Sequence, residues 1–275
     1  MEISEDSIRI LEGKAKDIRE TIIRMLVSAG SGHTAGALGM ADIFAAFYFH
    51  ILNHDPKNPG KEDRDRLVLS NGHICPALYA AMAHSGYFPI EECLTLRKFG
   101  SRLQGHPERL LLEGVETTSG PLGEGLSQAA GMAYAFRLDE KKQRVYCIMS
   151  DGEQEEGSVW EAAMFIGKNR LSGLTAIIDR NSIQIDGKTE DVMPLEPLAD
   201  KYRAFNWHVL EVDGNNISEF IKTVEEAKEI REKPTLIIAH TVPGKGVPEI
   251  ESDYRWHGKV PTKEEGDRFL KYLSI

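Results

Sequence analysis

Residues 144–187 read RVYCIMSDGEQEEGSVWEAAMFIGKNRLSGLTAIIDRNSIQIDG. Two short β-rich runs, RVYCIM and LTAIID, flank a stretch with helical spacing, so a β–α–β unit is predicted. Both runs are nearly continuous in apolar residues, as strands covered on both faces require. The rhythm continues with WHVLEV at 207–212 and PTLIIAH at 234–240, and helical patterns cover 157–169, 195–205 and 216–230. The economical architecture is an α/β fold, a parallel sheet with helices on both faces. Such sheets present ligands at the carboxyl ends of their strands.

Before this unit, Ile8, Leu11, Ile18, Ile22, Met25 and Leu26 recur at helical spacing over 8–28, and an apolar helix is predicted over 37–52. The turn-rich NHDPKNPGKEDRD then leads to a strand-like Leu67-Val68-Leu69. Helices are expected over 75–84, 90–98 and, rich in small residues, 123–138. Residues 241–261 form a long Gly/Pro-rich loop of the functional sort, and a closing helix covers 263–273. No repeat, low-complexity tract or Gly/Ser linker divides the 275 residues, so a single domain over 1–275 is expected.

The composition, 41% hydrophobic and 28% charged, is that of a soluble globular protein. A formal charge of −10 without long basic runs argues against a nucleic-acid surface. The acidic start MEISEDSIRI is unlike a signal peptide, and no apolar run approaches about 18 residues, so neither a leader nor a membrane span is expected. The expected location is the cytoplasm. Cys75, Cys93 and Cys147 are odd in number and far apart, which suits buried thiols better than disulfides or a zinc site.

The acidic turn Asp151, Glu153, Glu155, Glu156 sits directly after a strand. Carboxylates favour the positive end of a following helix, which accounts for such turns in general. It does not account for the next strand, LTAIID, which also ends in a polar turn, RNSIQIDG, with Asn181 at the same edge. Together the two strand ends offer a carboxylate, an amide oxygen and backbone carbonyls, the donor set of a hard cation bridging an anionic ligand. Glu153 is expected to face water.

A DG turn, about thirty residues and then an Asn closing a strand resembles the signature of thiamine-diphosphate enzymes. The wider pattern is similar to transketolases, through SGHTAGALGMADI, SNGHICPALYAAM, QGHPE, TSGPLGEGLSQAAGMA and WHGK in the family's order. The resemblance implies a thiamine-diphosphate-binding fold of the diphosphate-binding type. It implies Mg²⁺ held by Asp151, Asn181 and the carbonyl of Ile183, with Ca²⁺ or Mn²⁺ as substitutes. Gly152 would let the backbone approach the phosphates, and Glu156 resembles the family's interface carboxylate. Two departures stand out: Ser150 replaces the commoner Gly, and Pro243 sits where some relatives carry a basic residue.

Four histidines, His33, His73, His106 and His257, each lie beside Gly in a loop or element end, where side chains converge on sites. One such histidine reads as turn chemistry; four point to a site. His50, His54, His84, His208 and His240 read as solvated or core residues. Ketol transfer requires groups that titrate near neutrality beside substrate hydroxyl and carbonyl oxygens, and imidazole suits the task. By resemblance the four are catalytic and line the thiazolium and sugar oxygens, with His73 and His257 also near the diphosphate. Gly120 and Leu122 resemble the aminopyrimidine contacts, and Ile185 the apolar wedge that bends the cofactor. For Leu122 and Ile185 ordinary core is the alternative.

In this family a glutamate on a second, pyrimidine-binding domain completes the site. No such unit is recognisable here, so the resemblance is to the N-terminal subunit of a split transketolase. It would act on sugar phosphates with a separate C-terminal subunit carrying the pyrimidine domain, two copies of each chain assembling. Competing readings are a deoxyxylulose-phosphate synthase-like half, a dinucleotide-binding domain resting on GEG at 123–125, and a non-catalytic scaffold.

Overall fold

The computed structural model describes residues 3–274. Helix α1 (Glu5–Ala29) starts at Ser4, whose hydroxyl accepts from the Ser7 amide, and stops at Gly30 in the left-handed region at φ 66°. Its buried stripe includes Leu11, Ile18, Ile22, Met25 and Leu26. The helix predicted over 37–52 is instead α2 (Ala35–Gly39), α3 (Ala41–Ala46) and a π-helical turn over Phe47–Ile51. The break falls beside Gly39, where a Cβ would lie 2.9 Å from the carbonyl of Val242. Tertiary packing against the 241–261 loop therefore decides the local path.

Strand β1 (Arg66–Leu69) leads to α4 (Cys75–Ser85). The expected 90–98 helix is only a 3₁₀ segment, Ile90–Thr95, and the chain turns at Arg97 with φ 60°. Then come α5 (Glu124–Leu138), β2 (Val145–Ser150), α6 (Gly157–Lys168) and β3 (Leu174–Arg180). The polar turn after β3 contains a small antiparallel ribbon, β4 (Ile183–Gln184) with β5 (Gly187–Lys188), and the one-turn α7 (Thr189–Val192). The chain continues through α8 (Leu198–Ala204), β6 (His208–Asp213), α9 (Ile217–Glu229) and β7 (Thr235–His240). It closes with α10 (Lys263–Leu273), begun by a capping box between Thr262 and Glu265.

The main sheet has the order β1-β2-β3-β7-β6 and is parallel throughout. Alternate residues of the central strands feed two cores. Tyr146, Ile148, Ile177 and Ile237 pack on the face holding α1, α3, α4 and α9. Cys147, Met149, Ala176, Ile178 and Leu236 pack on the face holding α5, α6 and α8. All three cysteines are free and buried. Among the described residues no helix is long and apolar enough to cross a membrane.

After β3 the chain runs to the sheet edge as β6 and returns as β7 beside β3, so its direction across the sheet reverses. Register places Ser150 opposite Asp179 and Arg180 opposite His240, which aligns the exits of β2, β3 and β7. Crevices at such exits are where open α/β sheets hold ligands.

Candidate active site

A cleft of about 380 Å³ opens at this edge. Its walls include His33, His73, His106 and His257 together with Gly120, Leu122, Gly152, Asn181, Ile183 and Ile185. Six separate chain segments contribute: the α1–α2 loop, the β1 exit, the α4–α5 loop, the β2 and β3 exits, and the loop after β7. Asp151 is the exception among the sequence-predicted residues, lying fully buried behind the cleft rather than on its wall.

Three imidazoles form a compact triangle. Ring centroids are 4.9 Å apart for His33 and His73, 5.5 Å for His33 and His257, and 5.3 Å for His73 and His257. Thr34 holds the first and last segments together, its hydroxyl donating to the carbonyl of Lys259 at 2.6 Å. His73 rides on a 3₁₀ turn, Gly72–Ile74, directly after β1. A Cβ on Gly72 would meet Ser119 Oγ at 2.4 Å, so the absence of a side chain lets the loop carrying Gly120 and Leu122 close onto that turn. His106 is exposed near the same loop; a Cβ on Gly120 would sit 3.9 Å from its ring.

The environment makes these imidazoles reluctant to take a proton. Burial first, and then the charge of His257, Arg97 and His106, lowers His33 to about 4. Burial also drives His73 well down, with the neighbouring His33 and His257 adding to it. His257 is lowered by burial, and His106 by burial followed by Arg97. Near neutral pH the four are neutral, each with a ring nitrogen able to accept a hydrogen.

At the β2 exit the acidic turn divides by role. Asp151 accepts from the amides of Gly152 (2.8 Å) and Ser182 (2.6 Å) and from Arg180 Nη1 (3.0 Å). Burial pushes it up to about 6, against the opposing pull of Arg180. Glu153 does not face water. It is fully buried and accepts hydrogen bonds from the Ser70 hydroxyl, the Gly123 amide (2.7 Å) and the Ser150 amide (3.1 Å). Because Ser70 in turn accepts from the Gly125 amide at 3.0 Å, this carboxylate ties the exits of β1 and β2 to the N-terminus of α5. The need to satisfy the free amides of that helix start is what draws Glu153 inward. Glu155 and Glu156 are exposed.

At the β3 exit, Asn181 donates to Asp179 (2.7 Å) and accepts from the Ile183 amide (3.0 Å). Asp179 is buried, also accepts from Thr241 (2.5 Å), and is pushed up to about 7, chiefly by burial. Arg180 reaches Asp151 and Thr189 with one nitrogen and Glu190 and Glu196 with the other. Sequence reasoning missed Ser70, Asp179, Arg180 and Thr241. Only their position at strand ends could have drawn attention to them.

The residues suit an oxygen-bound cation and an anionic cofactor. Among the described residues no three His, Cys, Asp or Glu side chains, the imidazole triangle included, are placed to hold a metal ion by themselves. The donor set here is different: one carboxylate, one amide oxygen and one backbone carbonyl, the few protein oxygens that Mg²⁺ supplements with water and phosphate. A carboxylate has about four acceptor positions, and three of Asp151's are in use. Orphaned polar atoms support a ligand as well: Nδ2 and Oδ1 of the fully buried Asn71, Nδ1 of His33 and Oγ of Ser119 have no partner. All belong to segments that form the cleft, and buried polar groups are normally paired.

Residues 12–272 match the transketolase thiamine diphosphate-binding domain. The chain belongs to the transketolase family. It is 45% identical over 254 residues to the 6-deoxy-6-sulfo-D-fructose transketolase subunit SqwG of Clostridium sp. (strain MSTE9), spanning 92% of each. It is 40% identical over 267 residues to an apulose-4-phosphate transketolase subunit from Phocaeicola vulgatus, covering 97% of this chain and 95% of that one. Among solved structures, transketolase from Leishmania mexicana superposes with a TM-score of 0.91 at 31% identity, covering 100% of this chain and 42% of that one. The Campylobacter jejuni enzyme gives 0.90 at 34% identity, covering 100% and 43%. The chain thus spans about two-fifths of these solved transketolases and nearly the whole of the two subunit relatives. The fold and the family's thiamine diphosphate follow the expectation, and the dinucleotide reading falls: Gly123–Gly125 opens α5 out of a loop, with no strand before it.

Proposed function

We propose that this chain is the diphosphate-binding subunit of a two-chain transketolase, moving a two-carbon ketol unit between sugars with a divalent metal and thiamine diphosphate. The observation that carries the reading is the meeting of four histidines with the exits of β2 and β3 in one cleft, with Asp151 buried behind it. The two relatives of nearly equal length, both named as transketolase subunits, support a separate partner carrying the pyrimidine domain. Their named sugars differ, one a sulfo-sugar and the other a phosphate ester, and the substrate class here is anionic sugars of that kind.

Mg²⁺ is the proposed metal, with Asp151, Asn181 and the Ile183 carbonyl as its protein oxygens. His73, Gly152 and His257 flank the diphosphate; Gly120, Leu122 and Ile185 flank the organic rings. The bound cofactor supplies the carbanion equivalent needed to break and form the carbon–carbon bond. The protein's own work is proton handling and water exclusion. His33 and His257 accept hydrogen bonds from substrate hydroxyls, and His106 takes a hydroxyl proton and returns it to the developing alkoxide. Leu110 and Leu111 are exposed, as is Phe99 eleven residues earlier, and the partner is proposed to cover these apolar side chains and Glu156. The assembly is proposed to hold two copies of each chain in the cytoplasm.

The test is co-expression with a C-terminal transketolase subunit encoded beside it, followed by purification and assay of ketol transfer from phosphorylated and sulfonated ketoses. Transfer is expected from the pair and not from either chain alone. Metal-dependent transfer by this polypeptide with no second chain present would overturn the split-enzyme reading.

A further inference from the structure

The stretch Leu96–Glu108, LRKFGSRLQGHPE, carries three cations ahead of His106. Arg102 forks onto Glu92 through Nε and Nη2, and Lys98 reaches the Ser28 hydroxyl at 3.0 Å. Arg97 behaves differently. Its backbone is at φ 60°, a region costly for a residue with a side chain and one that clusters near functional sites. Its amide donates to the carbonyl of Leu103 at 2.9 Å, closing a loop on a fully buried leucine. Its side chain then folds back toward the cleft. Nη2 donates to the Gly105 carbonyl at 3.3 Å.

One glycine makes room for this guanidinium and a second lies in ordinary contact range of it. A Cβ on Gly105 would lie 2.7 Å from Arg97 Cζ, and one on Gly32 would lie 3.9 Å from Nε. Gly32 precedes His33 and Gly105 precedes His106, so the guanidinium sits between the backbones that deliver these two imidazoles. Among the described residues no carboxylate lies within ion-pairing distance of Arg97. The acidic residues of the cleft, Glu153, Glu155, Glu156 and Asp186, belong to the β2 and β3 exits instead.

We propose that Arg97 is a positioning residue of the ketol-transfer site: packed against Gly105 and lying beside Gly32, its guanidinium sets the placement of His106 and His33 and reserves both imidazoles as hydrogen acceptors. The functional half of this statement rests on the transketolase reading. Electrostatics point the same way. The groups facing His33 are His73, the nearest ring, together with His257, Arg97 and His106, and the charge facing His106 is Arg97. Arg97 is the permanent cation in this set, so it opposes protonation at every pH at which the enzyme works. A lysine keeps that charge without the planar fork; a glutamine or methionine loses it.

The experiment uses ¹³C,¹⁵N-histidine-labelled protein, with the four cleft histidines assigned by single substitution, and follows their ring signals against pH in the wild type, R97Q, R97M and R97K. In R97Q and R97M the His106 midpoint is expected to rise by about half a pH unit or more, with a smaller rise at His33. R97K is expected to keep the low midpoints. In the active two-chain enzyme, the acidic limb of kcat/KM against pH should move upward in R97Q by the same amount as His106, while R97K keeps the limb in place with a lowered kcat. Unmoved histidine midpoints in a folded charge-removing variant, or an unmoved pH–rate limb, would overturn the role of Arg97. Because the titration is read on this chain alone, a wild-type pair without ketol transfer would overturn the proposed function and not the assignment of charge.

Discussion

Arg180 at the exit of β3 and Asp151 at the exit of β2 form an ion pair 3.0 Å long, with both side chains almost wholly buried. The guanidinium is also bound by Glu190 and Glu196 from the segment that follows the β4–β5 ribbon. One arginine thus links the carboxylate proposed to bind metal with the segment directly after the hairpin that carries Ile183 and Ile185. Removing it as Arg180→Met leaves Asp151 buried without its cation, and breaking such pairs costs about 3–5 kcal/mol. The expected outcome is a loss of that order in urea denaturation, with faster proteolysis between residues 182 and 197. An unchanged midpoint and digestion pattern would show that the pair holds nothing in place.

Glu153 and Asp151 should fail in different ways. Glu153→Gln replaces an acceptor of three hydrogen bonds with a group that presents donors to donors, at a cost of about 1–3 kcal/mol for each buried group left unsatisfied. Its main effect should be on the denaturation midpoint. Asp151→Asn keeps the shape and removes the anionic oxygen, so its main effect should be on the divalent-metal dependence of cofactor binding in the assembled enzyme. Calorimetric titration and denaturation of both variants separate the two. Equal metal dependence in wild type and Asp151→Asn would remove Asp151 from the metal's shell.

His33 gives the folded protein a pH dependence of known sign. Its folded value of about 4 lies below the usual 6.5, so below pH 6.5 the unfolded chain binds a proton that the native chain refuses. Stability is then complete above pH 6.5 and falls as the pH drops toward 4, with a limiting slope of about 1.4 kcal/mol per unit from this group. His33→Asn should flatten that limb in denaturation measured from pH 4 to 7. A mutant curve parallel to the wild type would contradict the assignment.

His106→Ala should lower kcat/KM for a ketose donor by about a hundredfold, the lower range for loss of one acid–base group. Its effect on thiamine diphosphate affinity should be small, because its proposed work is on substrate oxygens and not on phosphates. Steady-state kinetics beside cofactor titration make the comparison. An unaltered kcat/KM would return His106 to ordinary turn chemistry.

Much of this was legible locally. The alternation of apolar runs and helical patterns from residue 144 onward pointed to the parallel sheet, and the closing helix expected over 263–273 is α10. Asp151 and Asn181 could be singled out because each directly follows a strand. The unbroken helix over 37–52 failed where a contact distant in sequence intervened, at Gly39 against Val242, and the helix expected over 90–98 gave way to a 3₁₀ segment and the turn at Arg97.

Element types, the strand-exit positions of the acidic turn and of Asn181, and the four Gly-flanked histidines are all properties of the linear chain. They depend on period, caps and turn residues, which act within a few positions. Folding in three dimensions was needed to bring the rings of residues 33 and 257 within 5.5 Å, to turn Glu153 inward and to carry Arg180 to Asp151. Those outcomes depend on which strands lie side by side and on which buried amides, carboxylates and cations then face one another. No local periodicity carries that information, because the partners are joined by the order β1-β2-β3-β7-β6 and not by their spacing along the chain.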